Sequence, residues 1–196
     1  MKQNGFYAML ARMKHISRWG LMRNTMRESL SEHSFDTAVI AHALALIGNT
    51  YYGRDVNPDK VAAAALFHDA PEILTGDLPT PVKYHNPEIR TAFRAVEHGA
   101  AERLLQMLPE ELQSAYRRMM TLDSAEPQLF AYVKAADKIS AYLKCVEELK
   151  SGNREFEKAA QQLKRSVAEL HLPEAEHFMT QFAESYGLTL DELQEE

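Results

Sequence analysis

The chain is organised around residues 66–83, which read LFHDAPEILTGDLPTPVK. An apolar run that begins at Val61 leads into His68 and Asp69, as expected of a helix that carries both residues at its end. Pro71 disfavours the α conformation in the residue before it, so the sequence predicts that this helix ends close to Asp69. The helix end would then present an imidazole and a carboxylate side by side.

The residues from Pro71 onward contain two more turn signals and two more carboxylates. Because proline suits the first turn of a helix, Glu72 is predicted to begin a short helical turn, which Gly76 can close. Asp77 comes next, and residues 79–81 (Pro-Thr-Pro) are expected to be extended and stiff. Carboxylates crowded in this way repel one another unless a cation lies among them.

Length and composition predict one compact globular domain over residues 1–196. Of the 196 residues, 45% are hydrophobic and 26% are charged, as in ordinary globular domains. We find no apolar run long enough to span a membrane and no apolar core of a signal peptide at the start. Cys145 is the single cysteine, so no internal disulfide can form and we expect a cytoplasmic protein.

The charge of the chain is unevenly distributed. The net charge is −6, which argues against a general nucleic-acid-binding protein. Residues 1–27, which we call the basic leg, contain six basic and no acidic residues and carry +6, whereas the other 16 basic and 28 acidic residues bring the rest to −12. The leg is predicted to dock a helix on the core and to help receive an anion. Its apolar helical stripe is Phe6, Met9, Leu10 and Met13.

Helix is the dominant pattern, and no stretch shows sustained strand alternation. Ser29 and Glu32 have the spacing of a capping box for a helix that runs to Ile47 and stops at Gly48. The remaining links are short, so we predict a single all-α, multi-helix bundle. Further helices are predicted to start after Asn57-Pro58, Asn86-Pro87, Pro109, Ser124 and Asn153 and at Pro173, and to end near His68, Leu108, Met120, Leu149, Leu170 and Gly187.

A distant carboxylate could complete a metal site with the His-Asp pair. Asp137 lies on an apolar stripe of its predicted helix, where an unpaired ionised side chain costs several kcal/mol. An ion pair with Lys134 or Lys138 would explain this position without a metal.

Two histidines on the helix before Gly48 are candidates of different kinds. His33 lies in the first turn, where a surface or capping role competes with a ligand role. His42 shares an apolar stripe with Phe35, Val39 and Leu46, so we expect a hydrogen-bonded histidine of the core.

Taken in order, His33, His68-Asp69 and Asp137 lie at or near the buried faces of three predicted helices. Two imidazoles and two carboxylates suit a borderline divalent ion such as Mn²⁺, Co²⁺, Zn²⁺ or Fe²⁺, with room left for water. This order, H…HD…D, and its helical setting resemble the HD-domain superfamily of metal-dependent phosphohydrolases. The resemblance implies a compact all-α HD domain.

A narrower resemblance spans essentially the whole chain. Five motifs are similar to those of the bacterial 5′-deoxynucleotidases of the YfbR type: RW at 18–19, SEHS at 31–34, HDAPE at 68–72, GDLPTPVK at 76–83 and AYLKC at 141–145. This resemblance implies a cytosolic homodimer that hydrolyses deoxyribonucleoside 5′-monophosphates to deoxynucleoside and phosphate. It also implies one divalent metal ion per subunit, often Co²⁺ or Mn²⁺.

The same resemblance implies roles for individual residues. Arg18 and Trp19 would hold and orient the phosphate, while Glu72 and Asp77 would manage the attacking water and the proton of the leaving group. The metal ligands would be His33, His68, Asp69 and Asp137. Further substrate contacts are implied for His33, Asp69 and Asp137 and, facing the deoxyribose, for Asp77, Leu78, Pro79 and Thr80.

Two alternatives stay open. Another HD phosphohydrolase could act on cyclic nucleotides or nucleoside triphosphates, and two-metal members carry extra histidines between the doublet and the final Asp. His85 and His98 lie in that interval, but their places beside a helix cap and before Gly99 favour surface positions and a single metal. A non-catalytic nucleotide-binding HD module is the second alternative. Glu72 and Asp77 disfavour it, because a binding module needs no water activation.

Overall fold

The computed structural model describes residues 4–83, 85–121 and 126–194. Within these ranges the chain is all-α, so the predicted fold class is confirmed, and no described helix is long and apolar enough to cross a bilayer. The α-helices are α1 (Phe6–Leu10), α2 (Leu30–Tyr51), α3 (Pro58–Phe67), α4 (Glu72–Thr75), α5 (Thr80–Lys83), α6 (Pro87–Leu105), α7 (Glu110–Met120), α8 (Pro127–Lys150), α9 (Glu157–Ala168) and α10 (Pro173–Gln181). Shorter 3₁₀ segments cover Ala11–His15, Arg154–Phe156 and Ala183–Gly187.

The main core lies where α2, α3 and α8 meet. Alanines on all three helices, such as Ala41, Ala65 and Ala136, are completely buried there. Small side chains at such contacts allow the helix axes to approach closely. The packing of these three helices therefore fixes the relative positions of His33 on α2, His68 directly after α3, and Asp137 on α8.

The predicted helix starts are confirmed where the structure describes them. The Ser29 hydroxyl accepts the Glu32 N–H at 3.3 Å, and the Glu32 carboxylate accepts the Ser29 N–H at 2.7 Å, which completes the capping box. The side chains of Asn57 and Asn86 accept backbone N–H groups three residues further on, at 2.9 and 2.7 Å. Ser124 lies outside the described residues.

The prediction that His42 and its apolar stripe on α2 belong to the core is wrong. Phe35, Val39 and Leu46 are 62%, 52% and 46% exposed. His42 also lies on the surface, 3.5 Å from the carboxylate of Asp59, so it is not a core histidine. The buried face of α2 is built largely from smaller residues. Because this helix is apolar on nearly every side, spacing alone does not identify the face that its neighbours cover.

The central segment 66–83 follows its predicted course with one exception. Helix α3 ends at Phe67, α4 begins at Glu72, and Gly76 ends that turn with a φ of 74°, in the left-handed region open to glycine. The extended conformation predicted for residues 79–81 is wrong, because α5 begins at Thr80 and the preceding carbonyl accepts an N–H from the new turn at 2.8 Å. The φ that proline imposes is also suited to a first helical turn.

Two predicted helices extend beyond the observed ends of their α-helices. Helix α6 ends at Leu105, and residues 106–108 tighten into i→i+3 turns before Pro109. The last helix ends at Gln181, and a 3₁₀ segment continues to Gly187. Helix ends commonly tighten in this way, because i→i+3 bonds satisfy carbonyl groups that lack an i→i+4 partner.

The basic leg packs on the bundle at its start. Phe6 is completely buried, and its ring meets that of Tyr116 edge-on with the centroids 4.9 Å apart. Met13 is also buried, whereas Met9 and Leu10 are half-buried. The predicted docking of this stripe is therefore confirmed, although the α-helix spans only five residues before it tightens into a 3₁₀ segment.

A buried carboxylate holds the far end of the leg. Glu148 on α8 is 1% exposed and accepts hydrogen bonds from Thr25 N (2.9 Å), Thr25 Oγ1 (2.6 Å), Asn153 Nδ2 (2.8 Å) and Lys144 Nζ. Lys144 also donates to the carbonyl of Met26 at 2.7 Å. Burial opposes ionisation, but the hydrogen bonds from Lys144, Thr25 and Asn153 outweigh it and hold the pKa of Glu148 well below its ordinary value. The leg is thereby tied to α8.

Candidate metal centre and phosphate site

His33 is held in place by two residues of α8. Its side chain is fully buried, with Nδ1 3.1 Å from Ser140 Oγ and Nε2 3.1 Å from Asp137 Oδ1. When the Nδ1–H group donates to the Ser140 hydroxyl, the lone pair of Nε2 is free for a metal ion. Ser140 follows Asp137 by three residues, so one face of α8 both orients the imidazole and supplies a carboxylate.

The backbone fixes the tautomer of His68. Its Nδ1 lies 2.7 Å from the carbonyl oxygen of Ala65, and because a carbonyl can only accept, Nδ1 carries the proton. Its Nε2 is buried and has no hydrogen-bond partner, although it lies 3.1 Å from Asp69 Oδ2 and 4.0 Å from Asp137 Oδ1. A buried lone pair without a donor is costly in an ordinary core. A metal ion would satisfy it.

The ligand atoms of His33, His68 and Asp69 converge on one small volume. All three lie within 4.8 Å of one another, and Asp137 joins them through its contact with His33. Bonds from a divalent ion to nitrogen or oxygen are about 2.0–2.2 Å long, so two donors on one ion stand roughly 3–4 Å apart. The donors of His33, His68 and Asp69 at these separations fit a single divalent cation. Asp137 Oδ1 lies at the edge of this cluster, 3.1 Å from His33 Nε2 and 4.0 Å from His68 Nε2.

The electrostatics of the cluster also favour a cation. Burial lowers the pKa of His68, but the charges of Asp69 and Asp137 outweigh it and raise this pKa to about 9. The pKa of Asp69 is held well below its usual range, because His68, His33 and Arg18 outweigh the effect of burial. An environment that holds a proton on His68 so firmly also favours a metal ion at the same place.

Arg18 and Trp19 are organised by a carboxylate that the sequence does not single out. Glu28 is 8% exposed and accepts hydrogen bonds from Arg18 Nε at 3.1 Å and from Trp19 Nε1 at 2.8 Å. The indole packs against Phe156 with the ring centroids 5.3 Å apart. Arg18 Nη1 then lies 3.5 Å from Asp69 Oδ2, which places the guanidinium at the edge of the metal-ligand cluster.

Glu72 is a buried carboxylate with one ion-pair partner among the described residues. Its side chain is 7% exposed. Its Oε1 lies 3.6 Å from Lys83 Nζ, and its Oε2 is buried and has no hydrogen bond to any residue that the structure describes. Burial, together with the charges of Asp69 and Asp77, raises the pKa of Glu72 to about 8 in spite of Lys83. A carboxyl group with a pKa near neutrality suits a role in proton transfer.

A cavity of about 580 Å³ opens on the cluster. Glu72 and Asp137 line it on the side of the metal ligands, and Phe93, Arg94 and Phe130 line it on the side of α6 and α8. Pockets of this size commonly hold molecules as large as a nucleotide.

Comparison with known proteins identifies the family. The family model described as 5′-deoxynucleotidase YfbR-like matches residues 5–186. The chain belongs to the YfbR-like 5′-deoxynucleotidase family. A 5′-deoxynucleotidase of Vibrio cholerae is 49% identical over 193 residues, which cover 98% of this chain and 100% of the relative. A 5′-deoxynucleotidase of Erwinia tasmaniensis is 46% identical over 196 residues, which cover 100% of this chain and 99% of the relative.

Solved structures agree with the fold expected of a YfbR-like protein. An HD-domain phosphohydrolase from Listeria innocua superposes with a TM-score of 0.81 at 22% identity, covering 92% of this chain and 87% of that one. The HD phosphohydrolase of cyanophage S-2L, solved with dA and one catalytic Zn²⁺ ion, superposes with a TM-score of 0.59 at 19% identity, covering 91% of this chain and 96% of that one. The predicted HD-domain fold is therefore confirmed.

Most of the site residues predicted for a YfbR-like enzyme come together around the cluster. Asp137 pairs with His33, and neither Lys134 nor Lys138 forms an ion pair with it in the described part of the chain. His85 and His98 are both exposed, as predicted, and neither joins the cluster formed by the described residues.

Of the described residues in the segment predicted to face the deoxyribose, only Asp77 is linked to the site by an observed interaction, and that interaction is electrostatic. Asp77, Leu78 and Pro79 are half-buried. Thr80 begins α5, and its side chain lies outside what the structure describes. The charge of Asp77 acts on both Glu72 and Arg18. Contact of this segment with a sugar stays a prediction.

Three supporting residues escape prediction from the sequence. Ser140 and Lys83 act through contacts that short motifs do not encode. Glu28 did leave a signal, because it is the first acidic residue after the acid-free basic leg. A buried arginine beside a metal site needs a carboxylate of its own, and Glu28 is the nearest one in sequence.

Proposed function

We propose that this protein hydrolyses deoxyribonucleoside 5′-monophosphates to a deoxynucleoside and phosphate, with one divalent ion held by two histidines and two aspartates. Family membership makes the chain a 5′-deoxynucleotidase and therefore a hydrolase. The observation that carries the proposal for this site is the convergence of His33, His68 and Asp69 next to the Arg18 guanidinium. The ligands would be these two histidines, Asp69 and Asp137, with Co²⁺ or Mn²⁺ as the expected ion.

Arg18 would grip the phosphate. Glu28 accepts the hydrogen bond of Nε, and Nη1 lies 3.5 Å from Asp69, an ion pair that leaves its N–H groups able to donate elsewhere. Both terminal nitrogens could therefore donate to phosphate oxygens, and two parallel hydrogen bonds fix both position and orientation. Trp19, held by the same carboxylate, would form a wall next to it. When bound, a divalent ion adds positive charge that offsets the phosphate oxygens and activates water.

Glu72 would handle the proton. As the water oxygen bonds to phosphorus, its O–H bond breaks and the proton passes to Glu72, while the bond from phosphorus to the 5′ oxygen breaks. The departing oxygen takes up a proton from Glu72 or Asp77, which yields the deoxynucleoside. The buried and unpartnered Oε2 of Glu72 supports this role, since it can accept a proton without first breaking another hydrogen bond.

Selectivity for deoxyribose would come from residues 77–80. A half-buried wall leaves an added 2′-hydroxyl both crowded and without a partner, and a buried polar group without a partner costs about 1–3 kcal/mol. We expect little selectivity for the base, because the aromatic residues that line the cavity, Phe93 and Phe130, could stack on any base.

One experiment tests the proposal against its alternatives. Phosphate release is measured from ribo- and deoxyribonucleoside mono-, di- and triphosphates and from cyclic nucleotides, each with Co²⁺, Mn²⁺, Zn²⁺ or Mg²⁺. We expect turnover of the deoxy monophosphates alone and dependence on the metal. Preference for triphosphates or cyclic nucleotides would favour another HD phosphohydrolase. Binding without turnover would indicate a non-catalytic module, and equal turnover of ribo and deoxy substrates would refute the sugar selectivity.

The assembly and location of the enzyme are part of the proposal. We infer a cytoplasmic homodimer from the family resemblance. Phe35, Val39 and Leu46, the exposed stripe on α2, support self-association, because a second copy could remove this apolar surface from water. Light scattering on the purified protein tests this, and a monomeric mass at micromolar concentration would contradict it.

A further inference from the structure

Lys83 links the carboxylate of Glu72 to helix α6. Its Nζ lies 2.6 Å from Glu97 Oε1 and 3.6 Å from Glu72 Oε1, and it stands 5.1 Å from the centroid of the Phe93 ring. Glu97 and Phe93 both belong to α6, and the lysine side chain is 25% exposed. One short charge-assisted hydrogen bond and one aromatic face therefore hold the ammonium on the α6 side, while its other side faces Glu72.

Glu72 has few other constraints. Within residues 4–83, 85–121 and 126–194, Lys83 is the only basic side chain within 4.0 Å of this carboxylate. Its second oxygen, Oε2, makes no hydrogen bond. A buried carboxylate turns one of its oxygens toward a single neighbouring cation. The position of the cation therefore determines where the other oxygen points.

We propose that Lys83 is a positioning residue for Glu72, holding Oε1 so that Oε2 faces the reacting water. The inference rests on the proposed function, since it concerns the proton transfer assigned to Glu72. The lysine pairs with Oε1 at 3.6 Å and not with Oε2, so Lys83 orients the carboxylate without occupying the oxygen that accepts the proton.

Glu97 has a defined part in this arrangement. When Glu72 takes up a proton its charge is lost, and an ammonium that depended on Glu72 alone would be left half-buried and unpaired. The hydrogen bond from Lys83 to Glu97 does not involve Glu72 and so does not depend on its charge. The position of Lys83 is therefore independent of the protonation state of Glu72, as a positioning residue requires.

The first test compares single variants. Lys83→Met keeps an unbranched side chain of nearly the same length and removes the ammonium group. We expect kcat to fall about tenfold to thirtyfold, KM to change less than about twofold, and metal content and Tm to stay at wild-type values. Lys83→Arg should recover activity to within about threefold of wild type. Lys60→Met is the matched control, because Lys60 also forms a 2.6 Å pair with a glutamate but lies at the far end of α3.

The second test asks whether Lys83 acts through Glu72. Glu72→Gln and the double variant Glu72→Gln/Lys83→Met should have the same kcat within about twofold, since the lysine has no carboxylate left to orient. An additive loss in the double variant would overturn the proposal, as would a kcat near wild type in Lys83→Met, a loss of metal or of Tm in that variant, or no recovery with Lys83→Arg. A wild-type protein inactive on every nucleotide would refute the proposed function instead.

Discussion

The two flanks of the metal-ligand cluster are built in opposite ways. On one flank Arg18 is paired with Glu28 and with Asp69, and the loop that carries it is tied to α8 by the carboxylate of Glu148. On the other flank Glu72 has one ion pair at 3.6 Å and a buried oxygen without a hydrogen bond.

The difference matches what each group has to do. Arg18 keeps its charge at every accessible pH, so several hydrogen bonds can fix its position without interfering with its role. Under the proposed mechanism Glu72 gains and loses a proton, and each additional donor on its carboxylate would hold it in the ionised state. In the proposed mechanism, a hydrogen-bonded and ion-paired guanidinium on one flank and a sparsely paired carboxylate on the other would separate substrate binding from proton transfer.

The largest effect should come from removing the ligand that lies between the flanks. Asp137→Ala takes away one of the four proposed ligands, and loss of the ion would leave Asp69 without the charge that compensates it. We expect kcat/KM to fall at least about a thousandfold, with no metal retained after purification, as measured by elemental analysis. Asp59→Ala, which removes an exposed aspartate paired only loosely with His42 at 3.5 Å, should change neither quantity. Full metal occupancy in Asp137→Ala would show that this residue is not a ligand.

The second-largest loss of activity should come from removing Glu72, on the flank with few hydrogen bonds. Glu72→Ala should keep the metal and the fold and lose about a hundredfold or more in kcat, because it removes only the proton acceptor. Metal analysis, Tm and steady-state kinetics measure the three quantities. Activity close to wild type would transfer the proton-handling role to Asp77.

A smaller loss of kcat/KM should follow from replacing Arg18, on the flank where Glu28 and Asp69 pair with the guanidinium. Arg18→Lys retains the charge but not the two parallel hydrogen bonds, so kcat/KM should fall about tenfold to a hundredfold with unchanged metal content. Arg23→Lys is the matched control, because Arg23 lies on the same leg with its side chain 95% exposed and pairs with Glu155 away from the cluster. If both variants behave like wild type, the phosphate is held by other groups.

Each of the four proposed ligands carries a local signal in the sequence, although only the family resemblance assigns them together as ligands. His68 and Asp69 lie where Pro71 interrupts a helix. His33 follows a capping box, and Asp137 lies on an apolar stripe where a carboxylate needs a partner. A helix break beside polar residues, or a polar residue on an apolar face, can be recognised in the sequence before the fold is known. Such patterns therefore indicate candidate site residues.

The supporting contacts cannot be read in the same way. Ser140 reaches His33 across 107 positions of the chain, and Glu148 reaches Thr25 across 123. Such pairs exist only after α2, α3 and α8 have packed. The error over His42 has the same origin, since α2 is apolar on most sides and its buried face is chosen by its neighbours.

The smallest effect on activity should come from loosening the leg at its anchor. Glu148→Gln leaves the ammonium of Lys144 buried without its carboxylate. Breaking a buried pair from one side costs about 3 kcal/mol, and Tm should fall by about 6–12 °C for a chain of this size. Arg18 keeps Glu28, so KM should rise only about twofold to threefold.

The pH dependence of that Tm difference tests the anchor directly. The pKa of Glu148 is lower in the folded protein than its ordinary value of 4.5, so its stabilising effect is complete above about pH 4.5 and is lost as the pH falls toward the folded pKa. The Tm gap between wild type and Glu148→Gln should therefore narrow on acidification below that value. Glu147→Gln is the control of opposite sign, because burial raises the pKa of Glu147 and neutralising it should not destabilise the fold. A gap for Glu148→Gln that stays constant with pH would mean that the carboxylate does not hold the leg through its charge.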